Sequence, residues 1–239
     1  VNLTIVLDKS GSMSRDAITG SYQTNGATRM DVAKEAIISM LAEYDKIGNV
    51  NVQFVAFSAS TTKSQWFADD LLKAIDYLNQ IQAGGGTHYD KALESVMDNY
   101  QVPAGNAADK SLVYFMSDGE PSGSHGINTT EQATWEGFLD NSNIDTSFSI
   151  GIGANTSLSE LNPIGYPNTN DSGELEPNTI KISSAAELSD TLLSTIDSGI
   201  LSGNVSLLAA SGNAGAALGA DGGYISTITI DGVVYTYQP

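Results

Sequence analysis

The chain has 239 residues, 41% of them hydrophobic, enough to bury a full core in one large domain or in a domain with a small companion. Its 28 Asp and Glu against 10 Lys and Arg give a formal charge of −18, which repels nucleic acid and anionic lipid and draws cations. Cysteine is absent, so disulfides and thiolate metal sites are excluded and any metal must be held by oxygen or histidine. No apolar run approaches membrane-spanning length, so direct membrane insertion is not expected. Val1 opens straight into a strand pattern, and we expect the chain to be a segment of something longer.

That first element, Val1–Leu7, is a near-continuous apolar run of the kind that forms a central parallel strand covered on both faces. It leads into Asp8-Lys9-Ser10-Gly11-Ser12-Met13-Ser14, at the end of the strand where open α/β sheets bind ligands. Asp8, Ser10 and Ser12 at alternate positions offer a carboxylate and two hydroxyls, hard oxygen donors suited to a small divalent cation. The same residues also suit an ordinary strand-to-helix turn. Arg15–Thr28 is polar and carries Gly20, Asn25 and Gly26, which predicts an exposed loop. From Arg29, the recurrence of Met30, Ala33, Ile37, Leu41 and Tyr44 predicts a helix with one buried stripe, ended by Gly48. Val50–Phe57 reads as a second strand, followed by a short polar edge strand running through Phe67. Leu71, Ile75 and Leu78 mark the next helix.

Ala83-Gly84-Gly85-Gly86-Thr87-His88-Tyr89-Asp90 then enters a helix with Leu93, Val96, Met97 and Tyr100 on one face. A phosphate loop would end in Gly-Lys-Ser/Thr, and this one has no lysine. Thr87 remains as a further hydroxyl on a flexible backbone, or the stretch is a plain glycine-rich connection. Ser111–Met116 is a third buried strand, and its exit Ser117-Asp118-Gly119-Glu120-Pro121 repeats the logic of Asp8. Thr130–Asn141 reads as a helix led by Thr129 and Thr130, and Ile144–Ile152 as a strand closed by Gly153. Asn155–Pro177 is irregular; within it Asn168, Asn170, Asp171, Glu174 and Glu176 surround Gly173 as a candidate second cation site. Calcium tolerates such irregular oxygen shells, although the spacing is not that of an EF-hand and a solvated acidic loop would look the same. Thr179–Ile182 is a short strand, Ser184–Glu187 has capping-box spacing, and Leu188, Leu192, Ile196 and Ile200 continue a buried stripe. His88 and His125 each read as loop residues, since neither has a partner histidine at ligand spacing.

Strands alternating with amphipathic helices predict an α/β, doubly wound and mostly parallel Rossmann-like sheet. In that fold Asp8, Thr87 and Asp118 come from successive loops on one edge. The order Asp8-x-Ser10-x-Ser12, Gly86-Thr87, Ser117-Asp118-Gly119 resembles the metal-ion-dependent adhesion site of von Willebrand factor type A domains. Arg29–Lys34 and Ser149–Gly153 are similar to that family's first helix and fifth strand, and the likeness covers about residues 1–200. The resemblance implies a divalent cation, most often Mg²⁺ with Ca²⁺ or Mn²⁺ as alternatives, touched by Ser10, Ser12 and sometimes Thr87, with Asp8 and Asp118 acting directly or through water. It also implies an open coordination position that an acidic residue of a ligand can fill. The long Arg15–Thr28 loop departs from the family pattern.

Residues 201–239 differ in composition, with no basic residue, many Gly and Ala, and two alternating runs, Tyr224–Ile230 and Val233–Tyr237, on either side of Asp231-Gly232. This is a strong hairpin signal. Gly219–Gly223 and Ile230–Tyr235 resemble segments of large bacterial repeat adhesins of the RTX type, exported by type I secretion. The hairpin either belongs to an adjoining repeat or packs on the main domain as extra strands.

Three functions follow. The first is a metal-dependent adhesion module, monomeric within a longer secreted or surface chain and binding a protein or peptide with an exposed carboxylate. The second is a metal-dependent hydrolase, for which Glu120, His88 and His125 are available bases. The third is a structural spacer with an unused metal site. Hydroxyl-rich coordination without a neighbouring cluster of acids, and without Ser-His-Asp or paired-metal spacing, favours binding over catalysis. Lys9, Met13, Tyr22, Arg29, His88 and Glu120 are the rim candidates for ligand choice.

Overall fold

The computed structural model describes residues 1–22, 26–103, 108, 110–153, 156–167 and 178–196, together with the strand backbones 227–230 and 233–236. The chain divides into two compact units, Val1–Ser198 and Gly199–Pro239. In the first, a seven-stranded sheet is built around β1 (Asn2–Asp8), which pairs in parallel with β2 (Asn51–Phe57) on one side and β5 (Ser111–Ser117) on the other. β6 (Thr146–Ile152) and β7 (Thr179–Ile182) continue the parallel sheet beyond β5. β3 (Thr61–Lys63) and β4 (Phe67–Ala68) both pair antiparallel with β2 at the other edge. The single polar strand expected there is thus two short ones, separated at Ser64, whose hydroxyl accepts from the Phe54 N–H and donates to the Gln65 carbonyl.

Alternation along β1 sends side chains into two separate cores. Leu3, Ile5 and Leu7 pack with α1 (Arg29–Ile47), α2 (Leu71–Gln80) and α6 (Leu188–Ser194), while Val6 packs with α3 (Tyr89–Met97), α4 (Thr129–Asn141) and α5 (Leu158–Leu161). This is the doubly wound α/β arrangement expected from the sequence. α1 begins at a capping box formed by Thr28 and Asp31, and α4 at one formed by Asn128 and Glu131. Asn128 therefore leads α4, rather than the Thr129-Thr130 pair.

Three further expectations change. Ser184 stands at the N-cap of a 3-10 turn, Ala185–Glu187, but its side chain makes no capping bond; Glu187 folds back to accept from the hydroxyls of Ser183 (2.7 Å) and Ser184 (3.3 Å), ahead of a short α6. Within Asn155–Pro177, Leu158–Leu161 forms α5 because Leu161 is drawn into the second core. The Arg15–Thr28 loop is not uniformly exposed either. Asp16 is buried, its Oδ1 accepts from the Ile18 N–H (3.1 Å), the Thr19 N–H (2.8 Å) and the Thr19 hydroxyl (3.0 Å), and its backbone bridges to Thr28. The candidate cation residues Asn168, Asn170, Asp171, Glu174 and Glu176 lie outside the described residues, as does Ile200.

In the second unit β8 (Thr227–Ile230) and β9 (Val233–Thr236) pair antiparallel, and the register Ile230↔Val233 leaves the two residues Asp231-Gly232 between them. Among the described residues no helix is long and apolar enough to cross a membrane.

Candidate metal centre

β1 and β5 are neighbours, but the chain leaves β1 toward β2 and reaches β5 only later, so the loops after the two strands diverge and open a crevice at their carboxyl ends. Asp8 and Asp118 sit there, both buried. The Ser10 N–H donates to Asp8 Oδ1 (2.6 Å) and the Ser117 hydroxyl to Asp8 Oδ2 (2.5 Å). The Ser10 and Ser12 hydroxyls lie 3.0 Å apart, and the Ser12 hydroxyl donates to Asp118 Oδ1 (2.7 Å). The Arg29 guanidinium closes the series, donating to Asp118 Oδ2 at 2.5 Å with its side chain only 12% exposed. A continuous polar chain therefore runs Ser117–Asp8–Ser10–Ser12–Asp118–Arg29.

The glycine loop is anchored beside this chain. The Gly84 N–H donates to the Lys9 carbonyl (2.6 Å) and the Gly11 N–H to the Gly85 carbonyl (2.9 Å). Gly85 has φ +96°, and a Cβ there would stand 3.0 Å from the Ser58 hydroxyl, so both backbone and space require glycine. Thr87 is buried, with its N–H donating to the Ser122 hydroxyl (3.2 Å) and its carbonyl accepting from the Ser122 N–H (2.7 Å). The Tyr89 hydroxyl donates to the Gly119 carbonyl (2.6 Å), tying α3 to the Asp118 loop.

Burial pushes the Asp8 carboxyl up to about 7; the Asp118 carboxylate adds to this, and the bonds from Ser117 and Ser10 oppose it. Two buried carboxylates facing hydroxyl oxygens form a donor set for a hard cation. An octahedral Mg²⁺ with bonds of about 2.1 Å spaces adjacent oxygens about 3.0 Å apart. The Ser10–Ser12 separation of 3.0 Å fits that edge.

Of the rim candidates, Met13 is a correction. It is 0% exposed, because the 3-10 turn Gly11–Ser14 directs its apolar side chain into the core. Arg29 belongs to the polar chain through Asp118 rather than to the rim. Lys9 is half-buried, with its backbone tied to Phe57 and Gly84, and Glu120 is exposed. Tyr22 is 65% exposed, its ring 4.3 Å below the Arg15 guanidinium, and Ile18 on the same loop is 88% exposed. Ile18 and Tyr22 are the sizeable side chains the sequence shows in this loop, and both are exposed as expected, although only Tyr22 is among the rim candidates. His88 and His125 do find each other: their rings stack at 3.4 Å, and Asp90 bonds His125. Sequence spacing could not reveal this, since the two histidines come from different loops.

Residues 3–120 match the von Willebrand factor type A domain family. The sheet order and cores above are those of the von Willebrand factor type A fold. Proximal thread matrix protein 1 from the mussel byssus, in a structure with a zinc-occupied MIDAS motif, is 18% identical over 83% of this chain and 47% of its own, with a TM-score of 0.60. A von Willebrand factor type A protein from Catenulispora acidiphila is 20% identical over 80% of this chain and 40% of its own, TM-score 0.57. The PilB minor pilin from Streptococcus sanguinis is 18% identical over 81% of this chain and 59% of its own, TM-score 0.58. The chain thus spans about half the length of the mussel protein, and these likenesses establish the fold. No curated protein matches the chain.

Proposed function

We propose that the domain is a metal-dependent adhesion module: Asp8, Ser10, Ser12, Thr87 and Asp118 hold a divalent cation, and a carboxylate of a protein or peptide ligand completes its shell. The observation that carries this reading is the unbroken chain of oxygen donors across the β1–β5 crevice, with serine hydroxyls between two buried carboxylates. Hydroxyl ligands leave the cation's charge under-neutralised, so an incoming carboxylate gains more than a water does. Mg²⁺ suits the tight oxygen spacing best, with Ca²⁺ or Mn²⁺ as alternatives. We place the module at a cell surface or outside the cell, within a longer adhesin. Support comes from solved relatives described as a minor pilin and as the pilus adhesin SpaC from Lactobacillus rhamnosus GG.

The test is capture of acidic peptides by the immobilised chain in Mg²⁺ and in EDTA. Capture only with metal, abolished in Asp118→Ala and weakened in Thr87→Ala, is the expected result. Capture that persists in EDTA, or turnover of ester or phosphate substrates with no capture, overturns the reading.

A further inference from the structure

We propose that His88, Asp90 and His125 form a second metal site, of different chemistry from the oxygen centre, which takes a borderline transition cation such as Zn²⁺. Each residue offers one ligand atom, and the three atoms lie within 4.8 Å of one another. The imidazoles stack nearly parallel, with centroids 3.4 Å apart and 13° between their planes, and His125 Nδ1 lies 2.9 Å from Asp90 Oδ2. Tetrahedral Zn²⁺ with bonds of about 2.1 Å spaces its ligand atoms about 3.4 Å apart, so the Nδ1–Oδ2 pair is already close to the required edge. All three side chains are partly exposed, so the ion can enter; because the in-plane lone pairs of stacked imidazoles do not converge, binding requires one ring to turn out of the stack toward the other two ligands. The cation takes the place of the proton shared by His125 and Asp90, which passes to solvent, and water fills the fourth position. Two imidazoles and one carboxylate suit Zn²⁺ far better than Mg²⁺.

The backbone holds the ligands in place before any metal arrives. The His125 carbonyl accepts from the N–H groups of Tyr89 (3.0 Å) and Asp90 (3.2 Å), and the His125 N–H donates to the Ser122 carbonyl (3.2 Å). Ser122 in turn bonds the Thr87 backbone in both directions. The first turn of α3 and the Ser122–His125 loop therefore form one clamped unit, and the pair of histidines is not an accident of two loose side chains.

The experiment is a Zn²⁺ titration of the full chain by calorimetry in saturating Mg²⁺, repeated on Asp8→Ala, His88→Gln, His125→Gln and Asp90→Asn, with Co²⁺ absorption reporting four-coordinate geometry. One Zn²⁺ equivalent retained in Asp8→Ala, and weakened at least about tenfold in each of the other three variants, is the expected result. The partly exposed histidines lie outside both cores, and a melting curve in each variant confirms that the fold is intact. Zn²⁺ binding that is unchanged in a His88→Gln/His125→Gln double variant overturns the site. So does Zn²⁺ that competes with Mg²⁺ and disappears in Asp8→Ala, because the ion would then occupy the oxygen centre. The first outcome leaves metal-dependent capture at Asp8 and Asp118 untouched, and the second would support cation binding at that centre while removing the histidine site.

Discussion

Asp8 and Arg29 define the electrostatics of the crevice from opposite sides. Asp8 has its folded pKa raised from 3.8 to about 7, so between those values the native state holds a proton that the unfolded chain has released. The Asp8 contribution to the stability of the metal-free protein should therefore be fully present below about pH 4 and be lost as pH rises toward 7, by a few kcal/mol at most. Mg²⁺ should reverse the loss, since the cation takes the ionised carboxylate; urea denaturation at pH 5 and 7.5, in EDTA and in Mg²⁺, reads both effects. A metal-free stability that rises over that interval would contradict the account. Arg29 answers Asp118 in the same way a cation would. Arg29→Gln leaves that buried carboxylate without its counter-charge and should cost roughly 3–5 kcal/mol in EDTA, with most of it recovered in Mg²⁺. Equal destabilisation in both buffers would make Arg29 a packing residue alone.

At the scale of elements, the centre depends on loops held to one another rather than on any single strand. Gly85 is the point where this is most exposed to test. Gly85→Ala forces a side chain into positive φ and against Ser58, at a cost of about 1–3 kcal/mol. Because Gly85 also anchors Gly11, the same change should weaken Mg²⁺ binding measured by calorimetry, which a purely local strain would leave alone. The Arg15–Thr28 loop leaves and rejoins the fold beside the crevice, pinned by Asp16 and displaying Ile18 and Tyr22. Exposed apolar and aromatic residues beside a polar centre are where recognition energy concentrates. Ile18→Ser with Tyr22→Ala should reduce metal-dependent capture about tenfold at unchanged melting temperature. A shifted melting temperature with intact capture would assign the loop to stability.

For the whole molecule, the first unit contains both cores and every residue of the polar chain. A chain ending at Ser198 should fold by itself and keep the Mg²⁺-dependent rise in melting temperature, about 2.7 kcal/mol at a hundredfold excess over Kd. Loss of cooperative melting on removing Gly199–Pro239 would show that the second unit completes the fold. The net charge of −18 adds a long-range attraction for divalent cations, which salt should screen without altering the selectivity set by the donors.

Local patterning was enough to read most of the architecture. The apolar run of β1, the stripes of α1 and α3 and the acid at each strand exit carry their own signal, because burial on both faces of a parallel sheet and helical periodicity are written in neighbouring residues. Asp8, Ser10, Ser12 and Asp118 were legible as polar residues at the exits of β1 and β5, and the structure brings these four together; Thr87, which precedes α3, joined the proposed metal set only through the family resemblance. What tertiary structure alone decided lies between segments distant in sequence. It buried Met13 instead of presenting it, set Arg29 against Asp118 across 89 positions, and stacked His88 on His125. Those outcomes depend on which loops the sheet brings face to face, and no spacing within a single stretch of chain encodes that.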